Sequence, residues 1–187
     1  VNLTGKLLIA MPGMGDPRFE HSVVMVCAHS SEGAMGLIVN KPLPTPRFAE
    51  LLSQLGLRVD GAAAPSAVRV QFGGPVEPGR GFVLHAPDWA RGNAGTVPLA
   101  PGVEMTTTRD ILTDIAAGKG PSRSLLALGY AGWGAGQLEA EILGNGWLTG
   151  EADAALVLER PNARKWQIAL HALGVDPLSL SAEAGRA

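Results

Sequence analysis

Ser22 to Asn40 reads SVVMVCAHSSEGAMGLIVN, and this stretch decides the fold class. Two apolar runs, Ser22 to Ala28 and Ala34 to Asn40, flank the turn-forming residues Ser30-Ser31-Glu32-Gly33. That pattern predicts two buried strands joined as an antiparallel hairpin. Lys41-Pro42-Leu43-Pro44 ends the second strand, because proline removes a ladder donor. Hairpins, rather than a regular strand–helix–strand alternation, favour α+β over a doubly wound sheet.

Upstream, Leu3 to Ala10 reads as a strand that Met11-Pro12-Gly13-Met14-Gly15-Asp16-Pro17 cannot continue. Downstream, Thr45 suits a helix N-cap, Pro46 the first position and Gly56 the stop, with Phe48, Leu51, Leu52 and Leu55 on one face. Residues 57–67 lack periodicity and read as a surface loop. Val68 to Phe72, Gly81 to Ala86, Val103 to Thr106 and Ser124 to Tyr130 read as strands, and residues 87–102 as loop-like with at most a short strand near Thr96 to Leu99. Thr107 and Asp110 have capping-box spacing before a second helix, with Ile111, Leu112 and Ile115 as its stripe. Ala131 to Gly136 reads as a glycine-rich turn into a third helix, Gln137 to about Leu143. Ala154 to Leu158 is expected as a last strand, and Asn162 as the cap of a fourth helix with Trp166, Ala169, Leu170 and Leu173 on one face. The tail after Pro177 is expected to fray. The result is one α+β domain with a mixed, mainly antiparallel sheet and about four helices, glycine-rich enough to curl toward a partial barrel.

Composition narrows the function classes. The 187 residues are 46% hydrophobic and 17% charged, too apolar and too weakly charged for disorder. Gly 25 and Pro 14 make up about a fifth of the chain and mark it as rich in turns. The longest apolar run, Val23 to Ala28, falls far short of the roughly 20 residues of a membrane helix. The first 30 residues show no secretory pattern, and Cys27 alone permits no internal disulfide, so a cytoplasmic location is expected. The net charge of −2 and the scatter of 11 arginines argue against direct nucleic-acid binding. No pair of helices joined by a short turn is expected either.

The chemistry-bearing residues form no complete catalytic motif. No G-x-x-x-x-G-K-[ST] occurs, and a dinucleotide fingerprint starting at Gly132 would need glycine where the chain has Gln137. His21, His29, His85 and His171 form no metal-ligand spacing, so no metal and no cofactor is expected. His171 reads as solvent-facing, and Cys27 as an inert core thiol. His85, ending a strand beside Pro87 and Asp88, is expected to be exposed enough to bind something. With Leu138 at zero on the third helix, Ile142 falls near ~40°, Glu139 near ~100° and Leu143 near ~140°, while Glu141 lies near ~300°. This places Glu139 in the apolar stripe and turns Glu141 away from it. With Gly136 as N-cap, Glu139 sits at N3, where a carboxylate reaches back to a backbone N–H; capping is favoured over acid/base work.

Several ordered strings resemble the AlgH/YqgE family of bacterial proteins. They are Gly5-Lys6-Leu7-Leu8-Ile9-Ala10-Met11-Pro12 with Met14, Asp16 and Phe19, then Glu32-Gly33-Ala34-Met35-Gly36-Leu37 with Asn40-Lys41-Pro42. Gly73-Gly74-Pro75-Val76, Leu84-His85, Leu128-Gly129-Tyr130-Ala131-Gly132-Trp133, Gly136-Gln137-Leu138-Glu139, Glu141 and Trp147-Leu148 follow. The resemblance spans about residues 3 to 175. It implies a bifurcated sheet bent into a pseudo-barrel and carries over no catalytic residue. One branch of the family bears a transcriptional-regulator label.

The expected function is a cytosolic, non-enzymatic domain that binds a small-molecule or protein partner, without nucleic acid or membrane. Its candidate binding residues are Asp16, Asn40, Lys41, His85, Tyr130, Trp133, Gln137 and Glu139. The alternatives are a regulator acting through protein contacts and an enzyme using His85 or Glu139 as acid/base. Convergence of either residue with Asp16 or Lys41 in one pocket would favour the enzyme.

Overall fold

A computed structural model describes residues 1–57, 68–91 and 95–178. The elements run β1 (Lys6–Ala10), β2 (Val23–Ser30), β3 (Gly33–Ile38), α1 (Phe48–Gln54), β4 (Arg69–Phe72), β5 (Val76–His85), β6 (Thr96–Ala100) and β7 (Val103–Thr106). They continue with α2 (Asp110–Ala116), β8 (Ser124–Gly134), α3 (Gln137–Leu143), β9 (Trp147–Glu151), α4 (Ala154–Leu158) and α5 (Asn162–Ala172).

The strand path is β6-β7-β5-β8-β3-β2-β1-β9, with β4 off the path and paired with β8. The decisive hairpin forms as read, with Met25 facing Leu37 and Ser30 facing Gly33. Among the described residues only the β4–β8 pairing is parallel, so the sheet is mixed and mainly antiparallel. Its curled, half-barrel form turns on β8. The first half of β8 pairs with both β4 and β5, and its second half turns to β3, which bifurcates the sheet.

Alternation along the strands sorts side chains to two faces. Leu7, Ile9, Val23, Met25 and Cys27 join the core beneath α4 and α5, while Leu8, Ala10, Val24 and Val26 join Trp133, Leu138 and Trp147 beneath α3. A third cluster packs α1 and α2 through Phe48, Leu52, Ile111 and Ile115.

The structure corrects the sequence reading at several element boundaries. Ala154–Leu158 is a helix, so the described residues form five helices rather than about four. Its apolar run fits a buried helix as well as a strand, and the Asp153 carboxylate accepting from Ala155 N at 3.0 Å decides the matter. α4 and α5 therefore follow one another across residues 159–161, a short-turn helix pair that the sequence reading excluded. β9 was not foreseen; it pairs with β1, with Ala10 facing Trp147 and Lys6 ion-paired to Glu151. β5 begins at Val76 rather than at Gly81, and β8 continues through Gly134 rather than ending at Tyr130.

Helix starts also differ. α1 begins after Arg47 rather than at Pro46, because the Glu50 carboxylate accepts from Arg47 N at 3.4 Å. α2 begins after Arg109, since Thr107 N is spent on Gly95 O. Asn162 lies inside α5, and its side-chain oxygen accepts from Gln71 Nε2 rather than capping the helix. The loop expected at 57–67 and the frayed tail lie outside the described residues, apart from their first positions.

Candidate functional site

The turn at 14–19, the end of β8 and the inner side of α3 line an open cavity of about 570 Å³. Met11 O accepts from Met14 N and Asp16 O from Phe19 N, each at 3.0 Å, folding the proline- and glycine-rich segment back over the sheet. That turn presents Asp16, Arg18 and Phe19 to Trp133, Gln137, Glu141 and Trp147. The aromatic rings stand edge to face, Phe19 against Trp147 at 5.9 Å and Trp133 against Trp147 at 6.1 Å. Both indoles donate to one carboxylate oxygen, Trp133 Nε1 to Glu141 Oε1 at 3.2 Å and Trp147 Nε1 to the same atom at 3.0 Å.

α3 explains how Glu141 reaches this position. Gly136 caps the helix with φ 73°, a conformation that glycine adopts without strain, and Gln137 Oε1 accepts from Gly134 N at 3.0 Å. Leu138 is fully buried, with Ile142 and Glu141 half-buried beside it, whereas Leu143 is 85% exposed. The inward arc is therefore centred on Leu138 and runs from Glu141 to Ile142. Counting Leu143 as apolar stripe had rotated that arc toward Glu139 by about a quarter-turn. Glu139 instead lies on the outer side, 2.7 Å from His29 Nε2, and does not cap its helix. Leu3 N donates to His29 Nδ1 at 3.0 Å, so Nε2–H is the donor to Glu139.

Asp16, Trp133 and Gln137 thus converge in the cavity, and the other expected residues do not. Asp16 accepts from Arg18 Nε and Nη2 at 3.1 and 2.8 Å, and this guanidinium holds its carboxyl below the usual range. Asn40 is structural, accepting from Val23 N at 2.9 Å and donating to His21 O at 2.8 Å. Lys41 points its ammonium at Pro17 O, 3.5 Å away; partial burial lowers its pKa against the opposing pull of Glu20 and Asp16. Tyr130 packs edge-on to Phe82, and burial raises its phenol pKa.

His85 is fully buried, which corrects the expectation of an exposed strand end. β7 covers it on one side and Trp89 packs edge-on at 5.9 Å. Its Nδ1–H donates to Ala86 O at 2.7 Å, so Nε2 accepts from Thr106 Oγ1 at 2.7 Å, and Thr106 in turn accepts from Thr96 at 2.8 Å. Burial lowers the imidazole pKa and favours this neutral form. Neither His85 nor Glu139 meets Asp16 or Lys41 in one pocket.

The sequence reading missed Phe19, Glu141 and Trp147 as cavity residues. The available signal was the pair of tryptophans flanking Glu141, since a buried indole N–H needs an acceptor. An apolar groove of about 250 Å³ between α1 and α2, lined by Phe48, Leu55, Val83 and Leu112, is smaller and has no carboxylate.

Comparison with known proteins places this geometry in a family. The AlgH-like family model matches residues 7–178. The chain belongs to the AlgH-like family. Among its AlgH-like relatives are UPF0301 proteins of Paracoccus denitrificans and Ruegeria pomeroyi, each 56% identical over 187 residues. The match covers this whole chain and 97% and 100% of theirs, respectively. The solution structure of the AlgH protein from Pseudomonas aeruginosa is 40% identical with a TM-score of 0.76, covering 97% of this chain and 94% of that one. A crystal structure from Corynebacterium diphtheriae, 20% identical with a TM-score of 0.72 over 91% of this chain and 86% of that one, shares the fold. Among the described residues no helix is long and apolar enough to cross a membrane, and no group of three metal-ligating side chains occurs.

Proposed function

We propose that this AlgH-like protein is a non-enzymatic binding domain whose ligand occupies the cavity between the 14–19 turn and α3. One observation carries the reading: two sequence-distant motifs, around Asp16 and around Trp133-Gln137, meet in a concavity of the size range of small-molecule sites. The acid/base alternative draws less support, because His85 is sealed in the core and Glu139 faces His29 outside the cavity. The dispersed arginines favour a small molecule or protein partner over nucleic acid.

A fragment screen read by amide and indole NMR tests this function. Saturable shifts clustered on Phe19, Trp133, Gln137 and Trp147 are expected. Shifts centred on the α1–α2 groove, or no saturable shift anywhere, would overturn the assignment.

A further inference from the structure

We infer that the cavity recognises an organic cation, an ammonium or guanidinium group, with Glu141 as its counter-ion. This rests on the cavity being the binding site. Three charged side chains line it. Asp16 and Arg18 cancel one another through two side-chain hydrogen bonds, leaving the Glu141 carboxylate as the uncompensated charge. Its partners are two neutral indole N–H groups, both on Oε1; among the described residues Oε2 has no hydrogen bond and Glu141 has no ion pair.

Neutral dipoles do not cancel a carboxylate as an opposite charge would, and the indole hydrogen bonds fix its orientation. The remaining walls are Phe19, Trp133 and Trp147, whose rings attract cations, with Met14 and Val76 supplying apolar contact for an alkyl chain. An anion would meet an unmatched negative charge. A neutral ligand would leave that charge unpaired.

Four probes of equal chain length separate charge from shape: butylguanidinium, butylammonium, butanamide and butyrate. Each is titrated while the indole N–H resonances of Trp133 and Trp147 are followed. Both cations are expected to bind at least tenfold more tightly than butanamide, with butyrate weakest. Glu141→Gln keeps an acceptor for the indoles and should abolish the preference. Val76→Lys, at a strand position 37% exposed, should weaken cation binding without touching the indole network.

Equal binding of all four probes, or cation preference retained in Glu141→Gln, overturns the cation assignment and leaves the binding site standing. Absence of binding by every probe overturns both. A blocked arginine amide binding more tightly than butylguanidinium supports a cation supplied by a partner's side chain. The reverse order supports a free amine or guanidine.

Discussion

The two faces of the β1–β2–β3 sheet solve one electrostatic problem in the same way but with different access to solvent. Beneath α5, Lys165 is fully buried, and its Nζ donates to Val39 O and Val157 O at 2.7 Å each. Beneath α3, the Glu141 carboxylate accepts from two indoles. Each titratable group is held by neutral dipoles rather than by an opposite charge. The difference is access. Lys165 is fully buried against Val39 O and against Val157 O of α4 and can only tie α5 to the sheet and α4, whereas Glu141 opens into a cavity and can meet a ligand. A buried charge is therefore no guide to function until its exposure is known.

Lys165→Met should produce the largest effect. It leaves two buried carbonyl groups without donors, at a cost of about 2–4 kcal/mol in chemical denaturation. Burial lowers the ammonium pKa to about 7, well below its unfolded value. Between pH 7 and about 10 the unfolded chain thus binds more protons at this site, so the wild-type fold gains stability as pH rises. The gap between wild type and Lys165→Met should widen over that window. A gap that narrows toward alkaline pH would mean that the folded protein holds the charged amine.

Glu141→Leu should come next, losing about 1–3 kcal/mol because two indole donors lose their acceptor. Glu141→Gln, which retains an acceptor, should lose less than half of that. If Glu141→Leu melts at the wild-type temperature, the indoles are not fastened to this carboxylate.

Cys27 tests how well the Lys165 face is sealed. It is buried in the core beneath α4 and α5, and burial pushes its thiol up to about 12. Native-state alkylation should be slow, and Cys27→Ser should lose about 1–2 kcal/mol by placing a hydroxyl in an apolar site. Fast labelling would open that face to solvent and remove the contrast with the cavity.

What the sequence disclosed follows the range of the interactions. The β2–β3 hairpin was legible because turn chemistry at Ser30–Gly33 and the flanking apolar runs are local. β9 was not, because only its pairing with β1, from the other end of the chain, makes Trp147–Glu151 a strand. α4 was misread because five apolar-leaning residues satisfy either periodicity, and packing on the sheet chose between them. At the site, Asp16, Trp133 and Gln137 stood in recognisable motifs. Glu141 was turned outward on paper by one exposed leucine, Leu143, counted as buried. His85 looked exposed because the strand covering it, β7, meets it through pairing that no local pattern encodes.

The smallest expected effect belongs to Glu139, the carboxylate on the opposite side of α3 from Glu141. A capping carboxylate stabilises its own helix whatever its neighbours, so Glu139→Leu and His29→Phe would then add independently. The observed partner is His29 Nε2, whose ring is otherwise fixed by Leu3 N. Glu139→Gln keeps an acceptor for that ring and should stay within about 0.5 kcal/mol of wild type. Glu139→Leu strands the imidazole N–H at a half-open site and should cost about 0.5–1 kcal/mol. With His29→Phe already present, the second change should cost almost nothing, giving a coupling energy of about 0.5–1 kcal/mol in a thermal-unfolding double-mutant cycle. Additive losses would return Glu139 to a capping role. No loss in either single variant would release the carboxylate from any structural duty and make the outer side of α3 a second surface to probe for ligands.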